Sequence, residues 1–230
     1  MSLADLSRKG YAVIDDVYST EEVHSIIDKI NHSDAFNDNF RKTNDLFAIR
    51  RFLREIPEMR FLIFNSGLTA IIDRYFGKDH FVVKSIYFDK PERSNWFVAW
   101  HQDLTISVDK KLDLPGYDLW TTKPGQYGVR PPLEILENIF TIRIHLDDTD
   151  ETNGALRVIP GSHSKGIQRY LSNESVEEEI CRVRSGGVMI MRPLLQHTSN
   201  RSTNNNRRRV IHIEFANALL PEGLGWAERL

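Results

Sequence analysis

The sequence predicts a mainly β fold, a jelly-roll-type sandwich with flanking helices. From about residue 80, seven short runs rich in β-branched and aromatic residues are separated by Gly, Pro, Asn and Asp. Before residue 80 the apolar residues recur with a helical period instead. Several short strands after an N-terminal helical segment are typical of a jelly roll. Because 230 residues suit one β sandwich, we expect a single domain over residues 1–230.

The N-terminal segment begins with a strand-like run, GYAVIDDV, and continues into a helix. Ser19 can cap this helix, and Glu22, three residues later, can complete a capping box. One helical face then carries Val23, Ile26, Ile27 and Ile30. A second helix is predicted over residues 66–77, where Gly77 ends it.

The predicted strands follow in chain order. They are HFVVKSIYFD, NWFVAWHQD, IFTIRIHLDD, GALRVIP, ICRVR, GVMIMRP and RVIHIEFA. Between the second and third run, Lys110–Pro132 contains four prolines and three glycines, which predicts a long loop. Loops of this length are usually functional, so we expect substrate specificity to lie in residues 104–137 and in the N-terminal segment.

Charge and cysteine content limit the partners. Thirty basic residues face 32 acidic ones, so no general positive field favours nucleic acid or an anionic membrane, and a small molecule is the expected partner. Cys181 is the only cysteine and reads as a buried strand residue. A chain without a disulfide, a signal-peptide core or a run near ~18 apolar residues is expected to be cytoplasmic.

Four His-x-acid pairs are candidates for a metal corner, whereas chance alone gives roughly one. His32 and Asp34 are near a helix end, where residues two apart point in different directions. Strand positions two apart share a face, so geometry excludes none of the other three pairs. These are His101 with Asp103, His145 with Asp147, and His212 with Glu214.

A distant histidine separates His101 and Asp103 from the other pairs. His197 follows a glycine turn and a strand, and precedes a polar loop and a strand that begins with arginines. A His-x-Asp on an early strand and a His on a late one form the set that a 2-His-1-carboxylate Fe(II) site needs. A single cysteine argues against a structural zinc site.

The chain resembles the phytanoyl-CoA dioxygenase family of Fe(II)/2-oxoglutarate oxygenases. The similarity runs from GYAVIDDV through WHQD and NGALRVIPGSH to RPLLQHTSNRS and RRVIHIEFA, nearly the whole chain. The resemblance implies a double-stranded β-helix in which His101, Asp103 and His197 bind iron. It also implies 2-oxoglutarate as cosubstrate.

The same resemblance places an arginine about eleven residues after the distal histidine, which here is Arg208. A guanidinium fork suits the far carboxylate of 2-oxoglutarate. Ser199 and Gln102 match a serine and a glutamine expected near the cosubstrate. Arg207 and Arg209 are expected to be solvated. If Arg208 faces inward, alternation puts three more residues on its side: Val210, His212 and Glu214.

Two other histidines and one arginine complete the comparison. His163 falls in the turn-like IPGSH motif and is expected to be structural, and His145 is expected to be a hydrogen-bonded strand residue. At Arg143 the human-type members of the family have a tryptophan, so the chain departs from them there.

The resemblance implies hydroxylation of a small-molecule substrate with O2, releasing succinate and CO2. Asp103 favours hydroxylation over halogenation, because related halogenases have a small residue at this position. Two alternatives remain open: a catalytically silent jelly-roll binding protein, and a metal-dependent hydrolase or isomerase that does not use 2-oxoglutarate. The sequence identifies neither the substrate nor the oligomeric state.

Overall fold

A computed structural model describes residues 3–33, 39–42, 47–92, 94, 96–168 and 177–230, with only the backbone given for residues 3–5 and 41. The helices are α1 (Leu3–Lys9), α2 (Thr20–Asn31), α3 (Phe52–Glu55), α4 (Met59–Ile63), α5 (Ser66–Phe76) and α6 (Leu133–Glu137). The strands are β1 (Tyr11–Ile14), β2 (Phe40–Lys42), β3 (Phe47–Arg50), β4 (Phe81–Lys90), β5 (Val98–His101), β6 (Ile106–Val108), β7 (Asp118–Lys123), β8 (Gln126–Arg130), β9 (Phe140–His145), β10 (Leu156–Val158), β11 (Glu179–Cys181), β12 (Val188–Met191), β13 (His197–Ser199) and β14 (Arg208–Ala216).

Both predicted helices are confirmed, and local capping explains where they begin and end. Ser19 and Glu22 form the reciprocal capping box of α2. The side chain of Asn65 caps α5, and Gly77 follows its last residue with a φ of +86°, which favours glycine. The seven predicted strand runs are also observed, as β4, β5, β9, β10, β11, β12 and β14.

The strands form two main sheets and a smaller one, all antiparallel. The major sheet has the order β1-β12-β9-β14-β4-β3-β2, and the minor sheet has the order β11-β10-β13-β5. Most strands that are neighbours in a sheet are distant from each other in the sequence. Such crossing connections are typical of a jelly roll. The predicted mainly β jelly-roll class with flanking helices is confirmed.

Strand alternation gives the major sheet two different faces. The face under the helices is apolar, and β9 and β14 contribute Ile142, Ile144, Ile211 and Ile213 to a core that also contains Val23 and Ile26 of α2. The opposite face looks toward the minor sheet. There Met189 and Met191 pack on Leu156 and Val158, together with the buried Cys181.

The predicted loop between Lys110 and Pro132 was wrong in its secondary structure. It contains β7 and β8, a hairpin that joins β6 in a three-stranded sheet. Its prolines lie beside the strands instead of inside them, and Pro124–Gly125 forms the turn between them. The mainly exposed β7 lacks the apolar alternation that marks a strand in sequence.

Very short strands were missed for a similar reason. β13 has only three residues, and it is a strand because it pairs with β5 and β10. In the described part of the chain, no helix is long and apolar enough to cross a membrane.

Candidate active site

Two neighbouring strands of the minor sheet bring the predicted metal ligands together. His101 ends β5 and lies opposite His197, the first residue of β13. Asp103 follows two residues later, with its backbone N–H donating to Pro193 O at 2.8 Å. The Nε2 atoms of His101 and His197 are each 3.8 Å from a carboxylate oxygen of Asp103. The three donor atoms lie within 4.8 Å of one another, which suits a single ion.

Backbone carbonyls orient both imidazole rings. His101 Nδ1 is 2.8 Å from Ala99 O, and His197 Nδ1 is 2.9 Å from Leu195 O. Since a carbonyl only accepts, each Nδ1 carries the proton and each Nε2 keeps its lone pair. The rings therefore have the tautomer that metal ligation through Nε2 requires.

Burial and nearby charges keep His197 and Asp103 deprotonated near neutral pH. Burial lowers the pKa of His197 to about 4, although the Asp103 carboxylate acts in the opposite direction. Burial would raise the pKa of Asp103, but His197, His212 and Lys84 together lower it to about 2. Near neutral pH, a cation entering the site would not have to displace a proton from either residue.

The residues of the other His-acid pairs form hydrogen bonds or ion pairs outside the predicted metal site. His145 Nδ1 is 2.8 Å from Thr149 Oγ1, and Asp147 pairs with Arg209. His212 Nε2 bonds to Glu214 Oε1 at 3.1 Å. Asp34 lies outside the described residues. Among those residues, the only cluster that could hold a metal consists of His101, Asp103 and His197.

Arg208 lies in the same pocket as the triad, in a niche beside Gly154. Its side chain is buried, and Nη1 donates to Gly154 O and to Ser199 Oγ, the latter at 3.4 Å. Arg208 Nε is buried without a hydrogen-bond partner. Burial and, secondarily, nearby Arg143 lower the pKa of Arg208 to about 9. A buried guanidinium with an unused N–H is suited to receive a carboxylate.

Gly154 keeps this niche open. Its φ is +87°, and a Cβ there would come within 2.7 Å of Asn200 O and of Lys90 Nζ. Lys90 is itself buried, donates to Asn200 O at 2.6 Å, and has its pKa lowered to about 7 by burial and by Arg208. The niche thus joins two basic side chains to the hydroxyl of Ser199, a donor set that fits the far carboxylate of 2-oxoglutarate.

Gln102 is not brought together with the pocket. It lies between two of the predicted metal ligands, and its side chain contacts backbone groups outside the pocket lining. There Nε2 donates to Gly166 O and Leu194 O, and Oε1 accepts from the Gln168 N–H. This geometry favours a structural role that holds the chain between His101 and Asp103, and it does not support the contact with cosubstrate expected from the sequence.

The flanking arginines differ from one another. Arg207 is 48% exposed, as expected for a solvated residue, although it pairs with Asp89. Arg209 was predicted to be solvated and is not: its side chain is 17% exposed and makes a two-pronged contact with Asp147, at 2.6 and 2.9 Å. The sequence could not show this, because Asp147 follows β9, which becomes the neighbour of β14 only in the folded sheet.

The sequence predicted His212 and Glu214 on the inward side of β14, but not the buried polar chain that they form beside the predicted metal ligands. Arg143 Nη1 lies 3.2 Å from His212 Nδ1, His212 continues to Glu214, and Glu214 accepts from Lys84 Nζ at 2.7 Å. All four residues line the pocket. Their positions on the inward face of β9, β14 and β4 were the only signal available in the sequence.

His163 is located as expected for a structural residue. It lies in a 3-10 turn, Ser162–Lys165, and its Nε2 is 3.0 Å from Ser7 O. Its ring packs against Gly10, where a Cβ would be 2.3 Å from Nδ1. His163 therefore ties the N-terminal segment to the turn.

A protein-family comparison decides which family this site belongs to. The model described as "Phytanoyl-CoA dioxygenase (PhyH)" matches residues 6–210. The chain belongs to the phytanoyl-CoA dioxygenase family. The family assignment made from WHQD, NGALRVIPGSH and the later motifs is thereby confirmed.

The sequence is similar to that of a "Probable alpha-ketoglutarate-dependent hypophosphite dioxygenase" of Stutzerimonas stutzeri. It is 25% identical over 185 residues, which cover 74% of this chain and 55% of the relative. The chain therefore spans just over half the length of this relative. The relative's name agrees with the predicted enzyme class and with 2-oxoglutarate as the predicted cosubstrate.

Solved structures share the fold of this family member at low sequence identity. EctD from S. alaskensis with 2-oxoglutarate and 5-hydroxyectoine has a TM-score of 0.70 and 19% identity, covering 93% of this chain and 74% of that one. HygX from Streptomyces hygroscopicus, with nickel, 2-oxoglutarate and hygromycin B bound, has a TM-score of 0.66 and 15% identity, covering 96% and 88%. AviO1 from Streptomyces viridochromogenes has a TM-score of 0.67 and 17% identity, covering 95% of both chains.

Proposed function

We propose that this protein is an Fe(II)- and 2-oxoglutarate-dependent dioxygenase that hydroxylates a small-molecule substrate, releasing succinate and CO2. The observation that carries the proposal is that His101, Asp103, His197 and Arg208 all line the same pocket. Family membership supports it.

The metal would be held by Nε2 of His101, Nε2 of His197 and a carboxylate oxygen of Asp103. Two imidazoles and one carboxylate are a donor set that suits Fe(II) and would leave room on the metal for other ligands. With 2-oxoglutarate and O2, such an iron supplies the oxidising chemistry needed to insert oxygen into an unactivated bond.

The chain's own residues would bind and orient the cosubstrate. Arg208, Ser199 and Lys90 surround the niche at Gly154 and would hold the far carboxylate there, while the metal ligands lie elsewhere along the same pocket. Because Arg208 is fixed on β14 and His197 on β13, the two sheets set the distance between the two anchors. Apolar side chains complete the pocket wall and limit the entry of water: Ile86, Phe88, Trp96, Val98 and Leu156.

Anaerobic titration tests this function directly. Purified protein should bind one equivalent of Fe(II), and adding 2-oxoglutarate should then produce a metal-to-ligand charge-transfer absorption band. Under O2, 2-oxoglutarate should be converted to succinate, and a substrate should accelerate that conversion. Binding without any succinate would instead support the silent binding protein, and metal-dependent turnover that ignores 2-oxoglutarate would support the hydrolase or isomerase.

A further inference from the structure

Arg143 is a buried cation in the pocket that the metal and cosubstrate sites do not use. It is 8% exposed, lies at the centre of β9 and lines the pocket beside His197 and Asp103. Its one hydrogen bond runs from Nη1 to His212 Nδ1, and its Nε is buried without a partner. Buried guanidinium N–H groups normally have acceptors, so this one calls for an explanation.

The neighbours of Arg143 orient it without neutralising it. A guanidinium can only donate, so His212 Nδ1 accepts, and its proton is on Nε2, which donates to Glu214. Glu214 is paired with Lys84 at 2.7 Å, and these two charges balance each other. The chain therefore fixes Nη1, while Nε and Nη2, one edge of the guanidinium fork, have no hydrogen-bond partner among the described residues.

The charge of the loaded pocket remains positive. Among the described residues, the charged side chains that line it are Lys84, Arg143, Arg208, Asp103 and Glu214, which sum to +1. Fe(II) adds two positive charges, and the 2-oxoglutarate dianion removes two. At least one positive charge therefore stays uncompensated beside buried side chains, which is costly unless an anion joins it.

The two arginines serve different ends of the pocket. Arg208 has its own niche with Gly154, Ser199 and Lys90. Arg143 lies close enough to Asp103 for the carboxylate to raise its pKa, although burial has the larger effect and lowers that pKa to about 10. Arg143 is thus placed near the metal ligands, where a substrate must lie to react.

We propose that Arg143 binds the negatively charged group of the substrate, and that the substrate is a small oxyanion such as a carboxylate or a phosphorus oxyanion. The free Nε–Nη2 edge offers two parallel N–H donors, the geometry that pairs with two oxygens of one anion. This inference rests on the proposed function and narrows its substrate class. It also assigns a role to the residue where the chain departs from the tryptophan of human-type family members.

Calorimetric titration of small probes into protein loaded with Mn(II) and saturating 2-oxoglutarate tests the proposal without relying on turnover. The probes are sodium hypophosphite, sodium formate and methylphosphonate, with formamide as a neutral molecule of the size of formate. At least one anion should bind the native protein, and formamide should not. Arg143→Gln should weaken anion binding by about 30-fold or more, the cost of removing one partner of a buried charge-assisted pair.

Further variants show whether a loss of anion affinity comes from the charge or from the shape of the Arg143 side chain. Arg143→Gln can still donate to His212, and Arg143→Lys keeps the charge but loses the fork, so it should bind the anion with intermediate affinity. Arg192→Gln is the matched control, because Arg192 is a partly buried arginine that packs on the Phe76 ring outside this pocket. This variant should bind the anion and 2-oxoglutarate with the same affinities as the native protein.

The possible outcomes distinguish failure of this inference from failure of the proposed dioxygenase function. If the native protein binds Mn(II) and 2-oxoglutarate but no anion, or if Arg143→Gln binds the anion normally, the inference is wrong and the function stands. If Arg143→Gln weakens 2-oxoglutarate as strongly as the anion, Arg143 serves the cosubstrate and the inference is again wrong. If the native protein binds no metal or no 2-oxoglutarate, both fail.

Discussion

The two faces of β14 differ in chemistry: one belongs to the apolar core, and the other lines a polar pocket. Toward the helices, Ile211, Ile213 and Phe215 are almost completely buried in an apolar core. Toward the minor sheet, Arg208, His212 and Glu214 line the candidate active site. All six residues are buried, so burial alone does not distinguish core from site.

What differs is how each face satisfies its buried groups. The apolar face gains stability from removal of hydrocarbon from water and from packing, as where Phe215 stacks on Phe140 with ring centroids 4.9 Å apart. The polar face depends on specific partners and keeps some groups unpaired, including the Nε atoms of Arg143 and Arg208. Substitutions on one face should therefore change stability, and substitutions on the other should change binding.

The largest binding effect is expected at the metal. His197→Ala should lower the affinity for Fe(II) by more than about 100-fold, since it removes a ligand, and loss of an outer partner alone costs 10- to 100-fold. The thermal midpoint of the apoprotein should change little. Metal analysis and calorimetry measure these effects, with His32→Ala, an exposed histidine at the end of α2, as control. An unchanged metal content in His197→Ala would contradict the ligand assignment.

The next effect is expected at the arginine niche. Arg208→Ala should weaken 2-oxoglutarate binding by roughly 30-fold to several thousand-fold, because a buried charge-assisted pair is worth about 2 to 5 kcal/mol. Metal binding should persist. The anaerobic charge-transfer band reports the affinity, and Arg207→Ala and Arg209→Ala are the controls. If Arg209→Ala abolished the band and Arg208→Ala did not, the assigned cosubstrate anchor would be wrong.

The apolar face should respond in the opposite way. Ile211→Ala should lower the free energy of unfolding by about 2 to 5 kcal/mol, because it leaves a cavity in a fully buried core. Affinity for 2-oxoglutarate should stay within a factor of a few in the folded protein. Urea unfolding monitored by circular dichroism measures the change. A large loss of cosubstrate affinity with normal stability would show that the two faces are not independent.

The smallest effect is expected at Ser199. Ser199→Ala removes a hydroxyl that accepts from Arg208 and donates to Gly154 O at 2.9 Å. A net hydrogen bond is worth about 0.5 to 1.5 kcal/mol, so affinity for 2-oxoglutarate should fall by about 2- to 12-fold. The same absorption titration measures it. An effect as large as that of Arg208→Ala would contradict the assignment of Arg208 as the main anchor of the carboxylate.

The sequence by itself determined the features that depend on local chemistry. Ser19 and Glu22 start α2 by reciprocal capping, and Gly77 follows α5. Alternation along RVIHIEFA assigned His212 and Glu214 to one face of β14, and Ile211 and Ile213 to the other. Motif order added the family and the triad residues. These features could be read because capping, turns and alternation involve residues near one another in the chain.

Only the tertiary structure decided the features that join distant segments. It converted the proline-rich stretch into the β7–β8 hairpin, turned Gln102 away from the pocket, and paired Arg209 with Asp147. It also assembled the chain from Arg143 to Lys84 across β9, β14 and β4. The order of strands in a sheet fixes such contacts, and no short-range pattern in the sequence encodes which strands become neighbours or which buried donors stay free.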